Sequence, residues 1–251
     1  METSPQFAVV LAAAGSSTRF GGNIRKPLVK LDGREIFLRS IELFSQRDDV
    51  AQVILAAPED EYDYYRERYG ANLGFLGVKL VAGGADRCET VQKALAVVRD
   101  DLAFVAVHDA VRPLVSYDSI DRVFSEVQTC GAAILATPLQ ATLKRVSPAG
   151  QVEETLERDR VWLAQTPQVF RRELLTSAYA AIADKPDLRR SLTDDASVVE
   201  HAGHAVKVVK GNAGNLKITT QEDLPLAEAI LKTLPKRKKK NPLGAYDEAQ
   251  W

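Results

Sequence analysis

Short apolar runs separated by amphipathic segments dominate the pattern of hydrophobic and polar positions along this chain. Each run is a few residues long and rich in Val, Ile, Leu and Ala, which is typical of buried strands. The strand-like runs lie at residues 7–13, 52–57, 78–81, 104–107, 132–136 and 205–209. Their alternation with helical segments predicts a doubly wound α/β fold, in which helices cover both faces of a mostly parallel, twisted sheet.

Helical periodicity is clearest in three of the intervening segments. Residues 35–46, 87–99 and 221–234 carry apolar side chains about every three or four positions, so each is predicted to bury one face against the sheet. We interpret these helices as structural. A single domain covering residues 1–234 accommodates all of these elements.

The alternation breaks between residues 138 and 163. Two charged strand-like pieces, 142–146 and 152–156, flank the turn sequence Ser147-Pro148-Ala149-Gly150, which predicts a projecting β-hairpin. A two-stranded arm is marginally stable alone in water, so a second copy of the chain is the simplest surface for it to pack against. We therefore predict a homodimer that forms through an arm of residues 138–163.

The first apolar run leads into a turn of small residues and then into two spaced cations. The turn, Ala12-Ala13-Ala14-Gly15, lets backbone amides approach a ligand closely, and Arg19 and Lys26 follow on an irregular, Gly-rich loop. A guanidinium and an ammonium on one loop can fold over the same anionic group. The segment therefore predicts a polyphosphate site.

The overall composition excludes several classes of protein. The chain has 251 residues, and 33 basic against 34 acidic residues give a net charge of −1, so it lacks the bulk field that non-specific nucleic-acid binding needs. No apolar segment at the start of the sequence has the length of a membrane span or the form of a signal peptide, which predicts a cytoplasmic protein without a membrane partner. The phosphate loop of ordinary kinases and the dinucleotide fingerprint are both missing from the sequence, which disfavours γ-phosphoryl and hydride transfer.

Metal-ligand spacing and the end of the chain add two further expectations. Cys88 and Cys130 are isolated and the three histidines are unpaired in sequence, so we expect no structural zinc site and no metal held by dedicated protein ligands. Residues 235–251 contain a basic run and are predicted to form a disordered tail. Contact of that tail with an anionic partner is the alternative.

Asp109 follows an apolar run and is the best candidate for an active-site carboxylate. Ligands of parallel α/β sheets bind beyond the carboxyl ends of the strands, where Asp109 is expected to lie close to the phosphate loop. The alternative is a residue that only caps a loop. The nearby Arg112 is interpreted as structural, paired with a local carboxylate or a backbone carbonyl.

Two other segments could contact a ligand. Gly83-Gly84 precedes the helix that carries Thr90, and such a turn lets a planar nucleobase approach the main chain, although Gly-Gly turns are common in any loop. Lys217 lies inside an otherwise apolar, strand-like piece and is suited to bind an anion. Its alternative is an ammonium that reaches solvent from a sheet edge.

Seven motifs, in a fixed order, carry a resemblance to a known family. They are Leu11-Ala12-Ala13-Ala14-Gly15 with Arg19 and Lys26, Gly83-Gly84 with Thr90, His108-Asp109-Ala110-Val111-Arg112-Pro113, Thr142-Leu143-Lys144-Arg145, Thr166-Pro167-Gln168-Val169-Phe170, Thr193-Asp194-Asp195-Ala196 and Asn215-Leu216-Lys217-Ile218-Thr219. In this order and spacing, the chain from about residue 7 to 234 resembles the 2-C-methyl-D-erythritol 4-phosphate cytidylyltransferases of isoprenoid precursor synthesis.

The resemblance implies a Rossmann-like nucleotidyltransferase fold, an arm-exchanged homodimer, and CTP, magnesium and a polyol phosphate as ligands. It implies that Arg19, Lys26 and Lys217 are catalytic. Ala12, Ala13, Ala14, Gly15, Gly84 and Thr90 would bind CTP, and Asp109, Lys217, Thr166 and the partner subunit's Thr142 and Arg158 would bind the polyol phosphate. Magnesium would be held largely by the phosphates of CTP.

Two positions depart from the family pattern, and one rival function remains. Pro27 follows Lys26 where the family usually has Gln, which restricts the loop backbone towards extended conformations. Ala141 stands where an aspartate commonly precedes the arm threonine. A cytidylyltransferase that acts on ribitol 5-phosphate is the alternative, because it shares the scaffold and most of the phosphate chemistry. A nucleotide-binding module without catalysis is a second alternative.

Overall fold

The computed structural model describes residues 6–13 and 26–235. Within these ranges the strands are β1 (Phe7–Ala12), β2 (Lys30–Leu31), β3 (Arg34–Glu35), β4 (Val50–Ala57), β5 (Val78–Ala82), β6 (Phe104–Asp109), β7 (Ala132–Pro138), β8 (Leu143–Val146), β9 (Val152–Leu156), β10 (Trp162–Arg171) and β11 (Lys207–Lys210). The α-helices are α1 (Ile36–Ser45), α2 (Tyr62–Phe75), α3 (Arg87–Leu95), α4 (Tyr117–Cys130), α5 (Arg172–Ala180), α6 (Pro186–Ser191), α7 (Asp195–His201) and α8 (Asp223–Thr233).

The described strands include a seven-stranded sheet with the order β11-β7-β10-β6-β1-β4-β5. β1 pairs in parallel with both β4 and β6, and the pairs β4–β5 and β11–β7 are also parallel. β10 runs antiparallel to β6 and β7. The prediction of a mostly parallel sheet is therefore confirmed, whereas β10 is an antiparallel strand that the hydrophobic pattern did not indicate.

Helices cover both faces of this sheet, as predicted. Alternate residues of β1 point to opposite faces, so Val9 packs into one core cluster and Val10 into another. The first cluster receives α1, α2 and α4, and the second receives α3, α5 and α7. β1 is buried on both faces, which explains why its sequence reads as a continuous apolar run.

Several predicted boundaries shift in the structure. The helix expected at 87–99 ends at Leu95, and the strand expected at 205–209 is β11, Lys207–Lys210. The helix expected at 221–234 is α8, Asp223–Thr233. The basic tail lies outside the described residues from 236 onward, so its predicted disorder stays a prediction. No helix of the described residues is long and apolar enough to cross a membrane.

The predicted β-hairpin is present. β8 and β9 pair antiparallel with each other in a separate two-stranded sheet. Thr142, expected on the first arm strand, lies immediately before β8 instead. The side chains of Val146, Val152 and Leu163 at the arm and its base are about half exposed, at 49%, 63% and 53%. An apolar surface of this kind is a feature of interfaces.

Candidate active site

The carboxyl ends of β1 and β6 meet at one edge of the sheet, and Asp109 lies there. Asp109 ends β6 and is in register with Ala12, which ends β1. Ala110 donates its N–H to the Ala12 carbonyl at 3.1 Å, and Ala13 donates to the Ala56 carbonyl at 3.0 Å. Asp109 is therefore adjacent to the start of the predicted phosphate loop, as the strand-end rule predicts.

The loop itself is described only at its two ends. Ala12 and Ala13 belong to the sheet edge through the bonds given above, while Ala14, Gly15 and Arg19 lie outside the described residues. Lys26 begins a 3-10 turn, Lys26–Leu28, and its side chain is mostly buried, with 8% exposure.

Three cations surround the Asp109 carboxylate. The Lys217 Nζ atom lies 2.9 Å from Oδ2, the Arg112 Nε atom lies 3.2 Å from the same oxygen, and an Arg87 terminal nitrogen lies 3.8 Å from Oδ1. The Asp109 side chain is 9% exposed, whereas that of Lys217 is 42% exposed. Lys217 therefore connects a buried carboxylate with the open side of the site.

The cluster keeps Asp109 ionised. Burial alone would raise the pKa of its carboxyl, but the positive charges of Lys217, Arg87 and Arg112 outweigh that effect and hold the pKa well below its usual range. Asp109 thus carries a full negative charge near neutral pH. It can accept hydrogen bonds from hydroxyl groups and does not act as a proton donor.

Arg87 links this cluster to a buried acid–phenol pair. Its guanidinium lies 2.6 Å from an oxygen of Asp195, and the Tyr179 hydroxyl donates to the other oxygen at 2.6 Å. Burial disfavours the charged guanidinium, yet the charge of Asp195 and its hydrogen bond raise the pKa of Arg87 far above its ordinary value. Arg87 had no predicted role, although its position just after the Gly83-Gly84 turn was an available signal.

Lys217 is not on a strand, which corrects the sequence prediction. Residues 211–219 contain no helix or strand. Ile218 donates its N–H to the Val111 carbonyl at 3.0 Å, and the Asn215 carbonyl accepts from Arg112 at 2.8 Å. The segment is held by the turn after β6, and neither the strand interpretation nor a lysine at a sheet edge describes it. The same bond, with the Asp109 contact, gives Arg112 both a local carboxylate and a backbone carbonyl as partners, which are the two kinds of partner that were predicted.

Thr166 and His108 form a buried hydrogen-bond network that holds the main chain of Asp109. The Thr166 hydroxyl oxygen accepts from the Asp109 N–H at 3.0 Å and lies 3.1 Å from His108 Nδ1, while His108 Nε2 lies 3.0 Å from the Arg112 carbonyl. Because a carbonyl can only accept, Nε2 carries the proton and Thr166 donates to Nδ1. This role of His108 was not predicted, although a histidine inside an apolar strand was a visible signal.

Burial lowers the pKa of His108 to about 4, despite the hydrogen bond to Arg112 that favours the charged ring. Between pH 6.5 and 4 the unfolded chain therefore binds a proton at His108 that the folded chain does not bind. Stability is expected to fall as the pH falls through this window, by about 3 kcal/mol at most. Urea unfolding at several pH values measures the slope.

The control for this prediction is a side chain that bonds without titrating. His108→Gln should flatten the stability profile between pH 6.5 and 4, whereas His201→Gln at an exposed position should leave the slope unchanged. The contribution of Asp109 is lost only at lower pH, because its folded pKa lies below its unfolded value. An unchanged slope in His108→Gln would contradict the assignment.

The Gly83-Gly84 turn is anchored by Thr90. The Gly84 N–H donates to the Thr90 hydroxyl at 3.0 Å, and that hydroxyl donates to the Asp86 carbonyl at 2.8 Å. A Cβ atom at Gly84 would lie 2.4 Å from Cγ of Glu89, so glycine is required by close packing. Thr90 is fully buried and orders the turn from inside.

The arm residues lie apart from this cluster within one chain. Thr142 and Arg158 are exposed, and Arg158 donates to the Gln140 carbonyl. Across the described ranges, no hydrogen bond or ion pair connects either side chain with Asp109 or Lys217. Nor does any group of three or more His, Cys, Asp and Glu side chains in those ranges form a candidate metal site.

Comparison with known proteins identifies the family. The family model for 2-C-methyl-D-erythritol 4-phosphate cytidylyltransferase matches residues 7–233. The chain is 41% identical to the protein of that name from Rhodopirellula baltica, over 92% of this chain and 97% of the relative. It is 35% identical to the one from Alkaliphilus oremlandii, over 93% and 98%.

Solved structures agree with this assignment. The Francisella tularensis 2-C-methyl-D-erythritol 4-phosphate cytidylyltransferase superposes with a TM-score of 0.75 at 31% identity, covering 90% of this chain and 99% of the other. A 4-diphosphocytidyl-2C-methyl-D-erythritol synthase from Anaerococcus prevotii gives 0.76 at 27% identity, covering 91% and 97%. The Rossmann-like nucleotidyltransferase fold is therefore confirmed, and the chain belongs to the 2-C-methyl-D-erythritol 4-phosphate cytidylyltransferase family.

Proposed function

We propose that the protein transfers a cytidylyl group from CTP to 2-C-methyl-D-erythritol 4-phosphate, and releases pyrophosphate, in isoprenoid precursor synthesis. The observation that carries this proposal is the Lys217–Asp109 pair at the carboxyl edge of the sheet, in a chain of this family. The pair offers an ammonium for a phosphate and a carboxylate for hydroxyl groups. A phosphorylated polyol carries both kinds of group.

The acceptor phosphate needs no general base. The second pKa of a phosphate monoester is about 6, so the nucleophile is mostly dianionic at neutral pH. Lys217 carries three N–H donors, and its exposed fraction lets it hold Asp109 and a phosphate together. Asp109 would repel a phosphate, so we assign it to the polyol hydroxyls, with Thr166 holding its main chain in place.

CTP binds, in this proposal, at the opposite side of the same edge. Ala12, Ala13, Ala14 and Gly15 hold the phosphates through the backbone of the loop, and Arg19 and Lys26 supply its positive charge. The Gly84 turn, ordered by Thr90, faces cytosine. The acceptor then displaces pyrophosphate from the α-phosphorus directly and in line, with no covalent enzyme intermediate.

Electrostatics dominates the barrier to this step. A dianion must approach a polyanion, and negative charge builds on the oxygen that bridges to the departing pyrophosphate. Cations placed before the reaction relieve both effects without any rearrangement at the moment of transfer. Lys26, Arg19 and Lys217 are assigned this catalytic role.

The donor set fits a magnesium ion that the CTP phosphates hold. Mg²⁺ is typically bound by one or two carboxylates together with substrate phosphates, and the described residues offer no carboxylate cage. When bound, the ion would neutralise charge on the triphosphate.

A substrate panel tests the proposed activity. Pyrophosphate release is measured with each of the four nucleoside triphosphates against methylerythritol, ribitol and hexose phosphates. Highest turnover with CTP and 2-C-methyl-D-erythritol 4-phosphate is expected, because the relatives carry that activity in their names. Preference for ribitol 5-phosphate would overturn the acceptor, and tight CTP binding without turnover would favour a non-catalytic module.

We infer that the active enzyme is a homodimer in which the arm completes the partner's site. An open groove of about 710 Å³ at the base of the arm is lined by residues that include Gln140, Arg158 and Trp162, and the arm's apolar side chains are exposed. Thr142 and Arg158 would reach the acceptor of the other subunit. The enzyme acts, in this proposal, as a single domain of residues 1–234 in the cytoplasm, where CTP is available, without a nucleic-acid or membrane partner.

Arg158→Ala is expected to raise the KM for the polyol phosphate more than the KM for CTP. The reason is that Arg158 is assigned to the acceptor and not to the nucleotide. Steady-state kinetics with each substrate varied in turn measures the two effects. Arg160→Ala, at an exposed arm arginine two positions away, is the matched control. Equal effects of Arg158→Ala on both substrates would remove Arg158 from the acceptor site.

Mixing two variants that each lack one side chain of the proposed site tests whether sites form across subunits. A Lys26→Ala subunit and a Thr142→Ala subunit should recover part of the lost activity after subunit exchange, because one of the two sites in a mixed dimer contains neither substitution. Activity is compared with that of each variant alone. With subunit exchange confirmed by mass, no recovery would contradict the arm exchange.

A further inference from the structure

The segment that carries Lys217 has no regular secondary structure, yet the Lys217 Nζ atom lies 2.9 Å from the Asp109 carboxylate. Two hydrogen bonds to the turn after β6 hold one side of the segment: the Arg112 guanidinium donates to the Asn215 carbonyl, and the Ile218 N–H donates to the Val111 carbonyl. Lys217 lies between these two fixed points. The remaining side of the segment faces β10.

Asn215 makes the contact with β10. Its side chain is 1% exposed, and its amide nitrogen donates to the Thr166 carbonyl at 2.9 Å and to the Gln165 side-chain oxygen at 3.3 Å. Gln165 donates in turn to the Asn212 carbonyl at 2.9 Å. The side-chain amides of Asn215 and Gln165 therefore hold both ends, Asn212 and Asn215, of the turn that precedes Lys217.

The attachment point on β10 is an irregular one. The register of β10 against β7 shifts between Ala164 and Gln168, which leaves Gln165 and Thr166 outside the regular ladder. Thr166 uses its hydroxyl for Asp109 and its carbonyl for Asn215. Thr166 thus positions both the main chain of Asp109 and, through Asn215, the main chain that precedes Lys217.

We propose that Asn215 is a positioning residue that holds Lys217 against Asp109 and so sets the ammonium for the acceptor phosphate. The inference rests on the proposed function of Lys217. Asn215 is buried and acts only through the segment it holds. A displacement of about 1 Å at a reacting group can lower the rate about 100-fold, so loss of this tie should be visible in turnover.

A double-mutant cycle separates positioning from general stability. Asn215→Ala is expected to lower kcat/KM for the polyol phosphate by up to about 100-fold. The same substitution added to Lys217→Ala should change kcat/KM less than about twofold, because the group that it positions is already missing. Equal losses in both backgrounds would overturn the proposal. If Lys217→Ala alone retained full activity, the proposed role of Lys217 would fail, and the positioning role with it.

A measurement of the amine itself makes the test independent of turnover. The intact protein is treated with an amine-selective acylating reagent, and labelling of Lys217 is compared by mass spectrometry with labelling of the exposed Lys79. Asn215→Ala should raise the relative labelling of Lys217, since the amine is released from Asp109. Unchanged labelling would overturn the proposal.

Two further variants complete the design. Gln52→Ala removes a partly buried side-chain amide that donates to the Val97 carbonyl and accepts from the Arg99 N–H, and it should change neither labelling nor kinetics. Gln165→Ala removes the side-chain hydrogen bonds to Asn212 and Asn215 in the same segment. It should change the kinetics and the labelling of Lys217 in the same direction as Asn215→Ala. It decides the question if Asn215→Ala does not fold.

Discussion

Replacing Asp109 with Asn is expected to remove most of the activity and to destabilise the fold by up to about 3–5 kcal/mol, because it leaves the buried Arg112 guanidinium without its counter-charge. Lys217 and Arg112 lie 2.9 and 3.2 Å from this carboxylate, and the Arg112 side chain is only 12% exposed. Arg87 keeps a second partner in Asp195. Urea unfolding and pyrophosphate release measure the two losses.

The matched control is a carboxylate in a more exposed ion pair. Asp118 lies 3.0 Å from Arg122, and the two side chains are 78% and 44% exposed. Asp118→Asn should cost less than about 1 kcal/mol and leave turnover unchanged. If the two substitutions had equal effects on stability, the Asp109 cluster would be no more than an ordinary surface ion pair.

Lys26→Ala is expected to lower kcat by about 100- to 1000-fold, which corresponds to about 2.7–4 kcal/mol of transition-state stabilisation. A charge that is placed before reaction acts most strongly on the charge that develops at the leaving pyrophosphate. The KM for CTP should change less than kcat. Single-turnover kinetics, with enzyme in excess over the polyol phosphate and with saturating CTP, isolates the chemical step.

Lys30→Ala provides the comparison for this loop. Lys30 is exposed and only four positions away from the mostly buried Lys26, so it controls for loss of charge near the site. Its kcat should equal that of the unmodified enzyme. Near-normal turnover in Lys26→Ala, with folding confirmed, would refute the catalytic assignment.

The sequence predicted those parts of the fold that are determined by short stretches of neighbouring residues. β1 and β6 read as apolar runs because their residues are buried on both faces of the sheet. The position of Asp109 beside Ala12 followed from a general rule about the ends of parallel strands. The hairpin of β8 and β9 followed from a turn sequence between two short strand-like pieces.

What the sequence did not predict depends on contacts between distant residues. β10 contains Gln165 and Gln168, which look like loop residues, but Gln168 is buried because it bonds to Asp194 and to the Ala196 N–H. Lys217 looked like part of a strand because its neighbours are apolar. Its real support comes from Arg112 and Thr166, about 100 and 50 positions earlier in the chain.

His108 illustrates the same limit for the site. Its sequence context showed an apolar strand with one polar member, but not that Thr166 would bond to its ring and to the Asp109 main chain together. Such a network is specified by the pairing of β10 with β6. The family resemblance supplied roles for Asp109 and Lys217, whereas the supporting residues required the three-dimensional structure.

A crystal structure of the enzyme with CTP, magnesium and 2-C-methyl-D-erythritol 4-phosphate tests the central claim most directly. The account predicts the triphosphate beside Lys26 at the end of β1, the acceptor phosphate at the Lys217 ammonium, and the polyol hydroxyls at Asp109. A nucleotide bound away from Lys26, or an acceptor phosphate that does not contact Lys217, would contradict it.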